Sequence, residues 1–317
     1  MYKGKVDIII PIAMNDLDSL RMSLPFIKKY LPWKRIIIIA KKEMQNYLSE
    51  LSDSIKFYDE DKLLNGLTFD NVKSIIFNIY PKAVRRTGWY FQQFLKLAYA
   101  YSCNDEYYLT WDSDTLPLKE ITFWDNEGKP FLDYVPMPYG DNDYFKLLTK
   151  LPPTFAHQNE KLSFITEHML FHSATVKNMI NEIENSIALD GDTFYKKTIR
   201  SIDKDKLNLS GFSEFETYAA YVQNTSDRYV LRLWKNLRNG KFYIGRNPSS
   251  KQLKWVSESF DVASIEDYDC YCLLNKWLSE SDSFRKQFIF KEYYSIVNPM
   301  YKIYSNTRLW LRSIIRS

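Results

Sequence analysis

The chain has 317 residues with 45% hydrophobic content, enough for one large or two small folded domains with a sizeable core. Its 43 Lys and Arg against 39 Asp and Glu leave a net charge of +4. Lys302, Arg308, Arg312 and Arg316, all beyond the last acidic residue Glu292, account for the whole excess, so the body is neutral, which argues against a nucleic-acid-binding face.

The N-terminal "KVDIIIPIA" is a short apolar run interrupted by Asp7 and Pro11, the pattern of a first core strand rather than of a leader. "NDLDSLRMSLPFIKKYL" predicts a helix with Asn15 or Asp16 near its N-cap. "RIIIIA" is a second buried strand, "KKEMQNYLSELS" a second helix and "SIKFYDED" a third strand. This βαβαβ alternation implies an α/β fold with right-handed crossovers. "VKSIIFNIY" is apolar without a clear period. "GWYFQQFLKLAYAYS" reads as a largely buried helix whose thin polar stripe of Gln92, Gln93 and Lys96 faces solvent or a ligand, with Arg85, Arg86 and Trp89 just upstream.

"EYYLTWDSDT" is the next strand. "ITFWD" and "FLDYV" predict a hairpin across "NEGKP". Residues 136–161 read as a long irregular loop. "SFITEHMLFHSATVKNMINEIE" reads as a strand running into a helix with Ser173 as N-cap, and "GFSEFETYAAYVQN" opens another helix. "KNLRNGKFYIGR" predicts a hairpin turning at Asn239-Gly240. From Ile265 the pattern is helical to the end. The three cysteines, Cys103, Cys270 and Cys272, form no CxxC pair and point to a reducing compartment. No run reaches the roughly 18 apolar residues of a membrane span. The expected location is cytoplasmic.

Asp112-Ser113-Asp114 ends a buried strand. In open α/β sheets ligands bind at the carboxyl ends of strands. Two carboxylates there suit a hard cation, Mn²⁺ or Mg²⁺, completed by water and diphosphate oxygens. The alternative is a turn with capping aspartates. The order of a βαβ unit, a strand ending in DxD and a later acidic helix start resembles GT-A glycosyltransferases. More narrowly, "RRTGWYFQQFLKL", "YYLTWDSDTLPL" and "SFITEHMLF…GFSEFETYAAYV" are similar to uncharacterised bacterial glycosyltransferase-like proteins of surface-polysaccharide synthesis, over roughly residues 5 to 250.

That resemblance implies a GT-A-like, Rossmann-type, mostly parallel sheet flanked by helices over residues 1–264, followed by a helical appendage over 265–317. It implies that Pro11, Ile12 and Ala13 line the base and ribose pocket. Arg86, Trp89, Gln93, Lys96, Asp112 and Ser113 would meet the rest of the nucleotide-sugar, and Asp112 and Asp114 the metal. In inverting members a carboxylate at a helix start deprotonates the acceptor. Glu214 and Glu216 are the candidates. Ser213 and Glu216 also fit a capping box, which would leave Glu214 freer to act. The family's late histidine is missing, since none follows His172. His168 is the candidate third metal ligand.

The expected activity is metal-dependent transfer of a sugar from a nucleotide-diphosphate sugar, a UDP-sugar first, to a saccharide or lipid-linked saccharide acceptor in capsule or O-antigen synthesis, with inversion. The tail places Arg308, Arg312 and Arg316 at every fourth position beside Trp310, Leu311, Ile314 and Ile315. That pattern suits either a helix lying on an anionic membrane, here the inner face of the plasma membrane, or one packed on the body. Two rivals remain. "DSDTL" is similar to the DxDGT nucleophile of haloacid dehalogenase phosphohydrolases, but lacks the glycine and comes late in the chain. A non-catalytic membrane-docking protein is the other.

Overall fold

A computed structural model of the chain describes residues 4–137, 143–266 and 270–316. It divides into two compact units, one of Met1–Arg21, Pro32–Ser113 and Thr122–Trp234, the other of Met22–Leu31, Asp114–Ile121 and Lys235–Ser317. The division therefore falls at Trp234, earlier than the expected 264, and the second unit recruits two earlier segments.

In chain order the elements begin β1 (Val6–Pro11), α1 (Leu17–Tyr30), β2 (Trp33–Ala40), α2 (Gln45–Leu51), β3 (Ile55–Asp59), α3 (Phe69–Ile79), α4 (Thr87–Ala98) and β4 (Tyr107–Trp111). They continue through β5 (Thr115–Pro117), β6 (Phe131–Pro136), α5 (Asp143–Leu148), β7 (Leu162–Ser163), β8 (His168–His172), α6 (Ser173–Asn185), α7 (Phe194–Ser201) and α8 (Glu214–Thr225). The last are β9 (Val230–Leu233), β10 (Asn236–Leu237), α9 (Gly240–Ile244), α10 (Ser250–Ser257), β11 (Val262–Ser264), α11 (Leu273–Glu280), α12 (Asp282–Gln287) and α13 (Phe290–Arg316). The ambiguous segment before Tyr80 is thus helical, as α3.

The first unit is built on a five-stranded sheet in the order β3-β2-β1-β4-β8. All pairs are parallel except β4 with β8. Ile8–Ile10 and Ile36–Ile39 are fully buried, as β-branched strands covered on both faces should be. The sheet is therefore mixed α/β and mostly parallel, as expected. Within its apolar ladder Asp7 lies opposite Arg35 and is buried against that guanidinium and the Tyr99 hydroxyl. Burial pushes the Asp7 carboxyl up, and the hydrogen bonds from Arg35 and Tyr99 outweigh it and hold it low.

A second, three-stranded sheet of the same unit runs β7-β6-β9. The expected hairpin across Gly128 shrinks to one bridge, Trp124 with Pro130, because β6 pairs with β9 and β7 instead. The N-cap of α6 is His172, not Ser173: its Nδ1 accepts from the Thr175 amide at 3.3 Å. In the stretch expected to be loop, residues 138–142 lie outside the described residues, and Asp143–Leu148 forms the helix α5.

The second unit holds the sheet β10-β11-β5 and the helices from α9 onward, around Leu116, Tyr243, Trp255, Val256 and Phe290. Its expected hairpin does not form. Asn239 adopts a left-handed φ of 57° and caps α9, and β10 pairs with β11. Gly240 sits where a Cβ would come within 2.8 Å of the Ser264 carbonyl, so that turn is closed against β11. The expected basic stripe of Arg308, Arg312 and Arg316, with Trp310, Leu311, Ile314 and Ile315, lies outside the described side chains.

Candidate functional site

α4 is apolar on most of its circumference, with Tyr90, Phe91, Phe94 and Leu95 buried, so its few polar side chains must find partners inside the first unit. They do. Gln92 donates to the Pro11 carbonyl at 2.7 Å, which ties the helix to the end of β1. Gln93 accepts from the Glu214 amide at 3.3 Å and donates to the Trp89 carbonyl. Lys96 donates to Asp112 Oδ1 at 2.7 Å and to Glu214 Oε1 at 2.8 Å, with its ammonium 4.4 Å from the Phe215 ring. The polar stripe is an internal hub between three strand and helix ends, not a solvent face.

Burial alone would neutralise Lys96, but the two carboxylates hold it charged, with its pKa above the ordinary lysine value. One ammonium serves two acids, and the fully buried one bears the desolvation: the Glu214 carboxyl is pushed up by burial against the pull of Lys96. Asp112 is the open end of the triad, with its side chain 30% exposed. Its amide donates to the Glu167 carbonyl at 3.0 Å, and Glu167 holds a left-handed φ of 63° to present that carbonyl. Ser113 follows, buried. Asp114 belongs to the second unit, where its carbonyl accepts from the Ile265 amide.

Neither expected base reaches water. Ser213 caps α8 through the Glu216 amide, as expected, but the Glu216 side chain does not return to complete the box. Its Oε1 accepts from the Ser163 hydroxyl at 2.6 Å and the Phe164 amide at 3.0 Å, and its Oε2 lies 3.6 Å from His157 Nε2. Glu216 thus anchors the segment before β8, and Glu214 is the counter-ion of Lys96.

His168 is also not where a third metal ligand belongs. It pairs with Trp111 across β4 and β8 and stacks near that ring at 5.3 Å. His168 Nε2 lies 2.9 Å from Asp133 Oδ2 and Nδ1 2.9 Å from the Thr166 carbonyl, and Asp133 also receives a two-pronged Arg232. This is a buried structural cluster. Among the described residues no group of three or more His, Cys, Asp or Glu is placed to hold a metal ion. Asp112 by itself fits a hard cation of the kind that takes one carboxylate and completes its shell with phosphate oxygens and water.

Beside this hub, a cavity of about 790 Å³ opens over the carboxyl ends of β1, β2 and β3. Pro11, Ile12, Ala13 and Trp89 line it, together with Phe69, Phe91 and Gln92. Arg86 lies 4.1 Å over the Trp89 ring, and its buried Nε has no hydrogen-bond partner among the described residues. Among the lining residues that the sequence reading missed are two charged ones at strand ends, Lys41 after β2 and Glu60 after β3. Glu60 sits in "YDED", read above as the end of the third strand. Only its position immediately after a strand end signals a site.

No curated protein matches the chain. Among solved structures it is similar to the apo structure of WbbM, a bifunctional glycosyltransferase, at 12% identity and a TM-score of 0.43, over 85% of this chain and 47% of that one. The chain thus spans about half the length of WbbM. It is similar to the galactosyltransferase LgtC in complex with donor and acceptor sugar analogues at 11% identity, a TM-score of 0.40, and 84% and 87% of the two chains. For mouse xyloside xylosyltransferase 1 the values are 9%, 0.39, and 74% and 88%. The family described as of unknown function, DUF6492, matches residues 4–291, and the chain belongs to it.

Proposed function

We propose that the chain is a GT-A-type glycosyltransferase that binds a nucleotide-diphosphate sugar in the cavity over β1–β3 and transfers the sugar at the strand end bearing Asp112. The observation that carries this reading is the double engagement of α4. Its first turns wall the cavity through Gly88, Trp89, Phe91 and Gln92, and its last turn delivers Lys96 to Asp112. Strand order reverses between β1 and β4, so the crevice there is the switch point at which α/β sheets take ligands. Apolar and aromatic walls suit a nucleoside.

Lys96 and Arg86 supply positive charge for the diphosphate, preorganised so that little reorientation is needed as charge develops on the leaving group. Glu214 holds Lys96 in place. Asp112 would hold Mn²⁺ or Mg²⁺, with Asp114 as the expected second carboxylate. When bound, that ion neutralises the departing diphosphate. A saccharide acceptor of capsule or O-antigen type is the setting that the sequence resemblance implies. A peripheral position on an anionic membrane is supported by α13, whose Ile296, Met300 and Ile303 are 62%, 56% and 69% exposed, and by the four basic residues after Glu292.

A thermal-shift panel of UDP-, GDP- and CMP-sugars with and without Mn²⁺ tests the reading. A nucleotide-dependent rise in Tm, lost in Asp112→Ala and weakened in Asp114→Ala, is the expected result. No shift with any nucleotide, or turnover of a generic phosphate ester that Asp112→Asn abolishes, overturns it.

A further inference from the structure

The first unit has a second cavity, of about 350 Å³, at the end of β4 away from Asp112. β4 and β8 are antiparallel partners, with Trp111 opposite His168 at the Asp112 end and Tyr107 opposite His172 at the other. Tyr107 and His172 line the cavity, so the length of β4, roughly 15 Å, lies between it and Asp112. Three half-buried rings, Tyr107, Phe131 and Tyr229, form its apolar side.

His172 organises the polar side. The Thr175 amide donates to its Nδ1 at 3.3 Å, so the neutral ring carries its proton on Nε2. Burial holds the imidazole below the usual histidine range, against the pull of Glu106, so the neutral form prevails at pH 7. Nε2 lies 3.7 Å from Glu106 Oε1, too far for a hydrogen bond. A donor and an acceptor thus stand across a gap that one hydroxyl group bridges, accepting from the imidazole and donating to the acid. On the same wall the Tyr218 hydroxyl accepts from the His172 amide at 2.9 Å, so its proton is what it offers a ligand.

These groups select the chemistry of an occupant. A hydrocarbon would face the His172 and Tyr218 donors and satisfy neither. Glu106 and Arg228, both exposed, are the acid and the base of the lining, and their opposite signs favour neither an anion nor a cation. The volume is near the lower end of the about 300–1,000 Å³ usual for ligand pockets, which suits a small occupant. A sugar ring meets each condition: its C–H face packs on aromatic rings, and its hydroxyls both donate and accept. We infer that this cavity is a carbohydrate site, holding one or two uncharged sugar rings apart from the Asp112 end of the sheet. It shares no residue with the cavity over β1–β3, so it does not rest on the donor-pocket reading.

The test is saturation-transfer NMR and titration of the full chain, without nucleotide or metal. Maltose, cellobiose, lactose and diacetylchitobiose are the neutral probes, with galacturonic acid and glucosamine as charged ones. The expected result is binding of at least one neutral disaccharide, in preference to both charged sugars. Tyr229→Ala, which removes a stacking ring, should weaken it about threefold or more. Glu106→Ala, which removes the acceptor of the bridging hydroxyl, should weaken it about fivefold or more. The Glu106 side chain is 65% exposed, so that variant keeps the fold, and urea unfolding checks both. Saturation transfer to no probe, a preference for a charged sugar, or binding that both variants leave unchanged overturns the site. The nucleotide panel above reads the donor pocket separately, so either can fail while the other stands.

Discussion

The Lys96 ammonium lies 2.8 Å from Glu214 Oε1, with both side chains almost wholly out of contact with water. Removing one partner of such a pair leaves an uncompensated buried charge, at about 3–5 kcal/mol. Lys96→Met strands Glu214, whereas Glu214→Gln leaves Lys96 still paired with Asp112. Urea unfolding at pH 7 should therefore show the lysine variant as the less stable, by about 2 kcal/mol or more. Lys96→Met/Glu214→Gln should recover part of that loss. Equal costs for the two single variants would mean that Asp112 does not share the ammonium.

Glu60 sets a stability trend with pH. Its carboxyl is raised to about 7 in the folded chain, above its unfolded value. The neutral form is the one the fold prefers, so its contribution is fully present at low pH and is lost as pH rises through about 7. Glu60→Gln, permanently neutral, should be more stable than wild type at pH 8 by a margin on the order of 1–2 kcal/mol, and nearly equal to it at pH 4.5. Unfolding curves of both proteins at the two pH values check this. A margin independent of pH would show that the carboxyl is solvated.

His168 should behave as a structural residue. Asp133, buried beneath it, is held low: burial raises its carboxyl, but Arg232 and His168 outweigh that. Its stabilisation is therefore present above the ordinary carboxylate range and is lost in acid. His168→Gln should lower Tm yet leave the Mn²⁺ dependence of nucleotide binding unchanged, and Asp133→Asn should cost about 3–5 kcal/mol. A weakened Mn²⁺ response in His168→Gln, measured by titration at fixed nucleotide, would return the histidine to the metal.

The exposed face of α13 should bind lipid. Ile296→Ser/Met300→Ser/Ile303→Ser is expected to lose about tenfold or more of its affinity for vesicles of phosphatidylglycerol and phosphatidylcholine in sedimentation assays. Binding should also fall as salt rises, since the four cations after Glu292 act through a screened field. Nucleotide binding should not change. Undiminished sedimentation of the triple variant would leave that face without a lipid role.

Much of the first unit was legible before any coordinates. Ile8–Ile10 and Ile36–Ile39 announce strands covered on both faces, and Asp112 announces a strand end, because composition and period are local signals. Ser213 is legible as a cap for the same reason. The failures share another cause. Whether Glu216 closes its capping box or reaches Ser163 depends on a segment 53 residues away. That Asn239-Gly240 begins a helix depends on how close β11 passes. That Glu60 alone among three acids is buried depends on the packing around the end of β3. The face to which His168 turns follows from the β4–β8 register, which the family resemblance that made it a candidate ligand does not carry.

The pairing of β1 with β2 sets Ile8, Ile9 and Ile10 against Ile36, Ile37 and Ile38. Such a ladder is partly degenerate: sliding β2 by two positions would still set Ile8 and Ile9 beside Ile38 and Ile39, with the same faces buried. Asp7 and Arg35 remove the degeneracy. They face one another in the native alignment only, and any slip would strand a charge in the apolar layer. The same alignment decides which residues stand at the carboxyl ends of the two strands. The pair thus acts as a vernier for the cavity: an ion pair near the start of β1, its carboxylate buried, sets where Pro11 and Lys41 stand in the cavity wall.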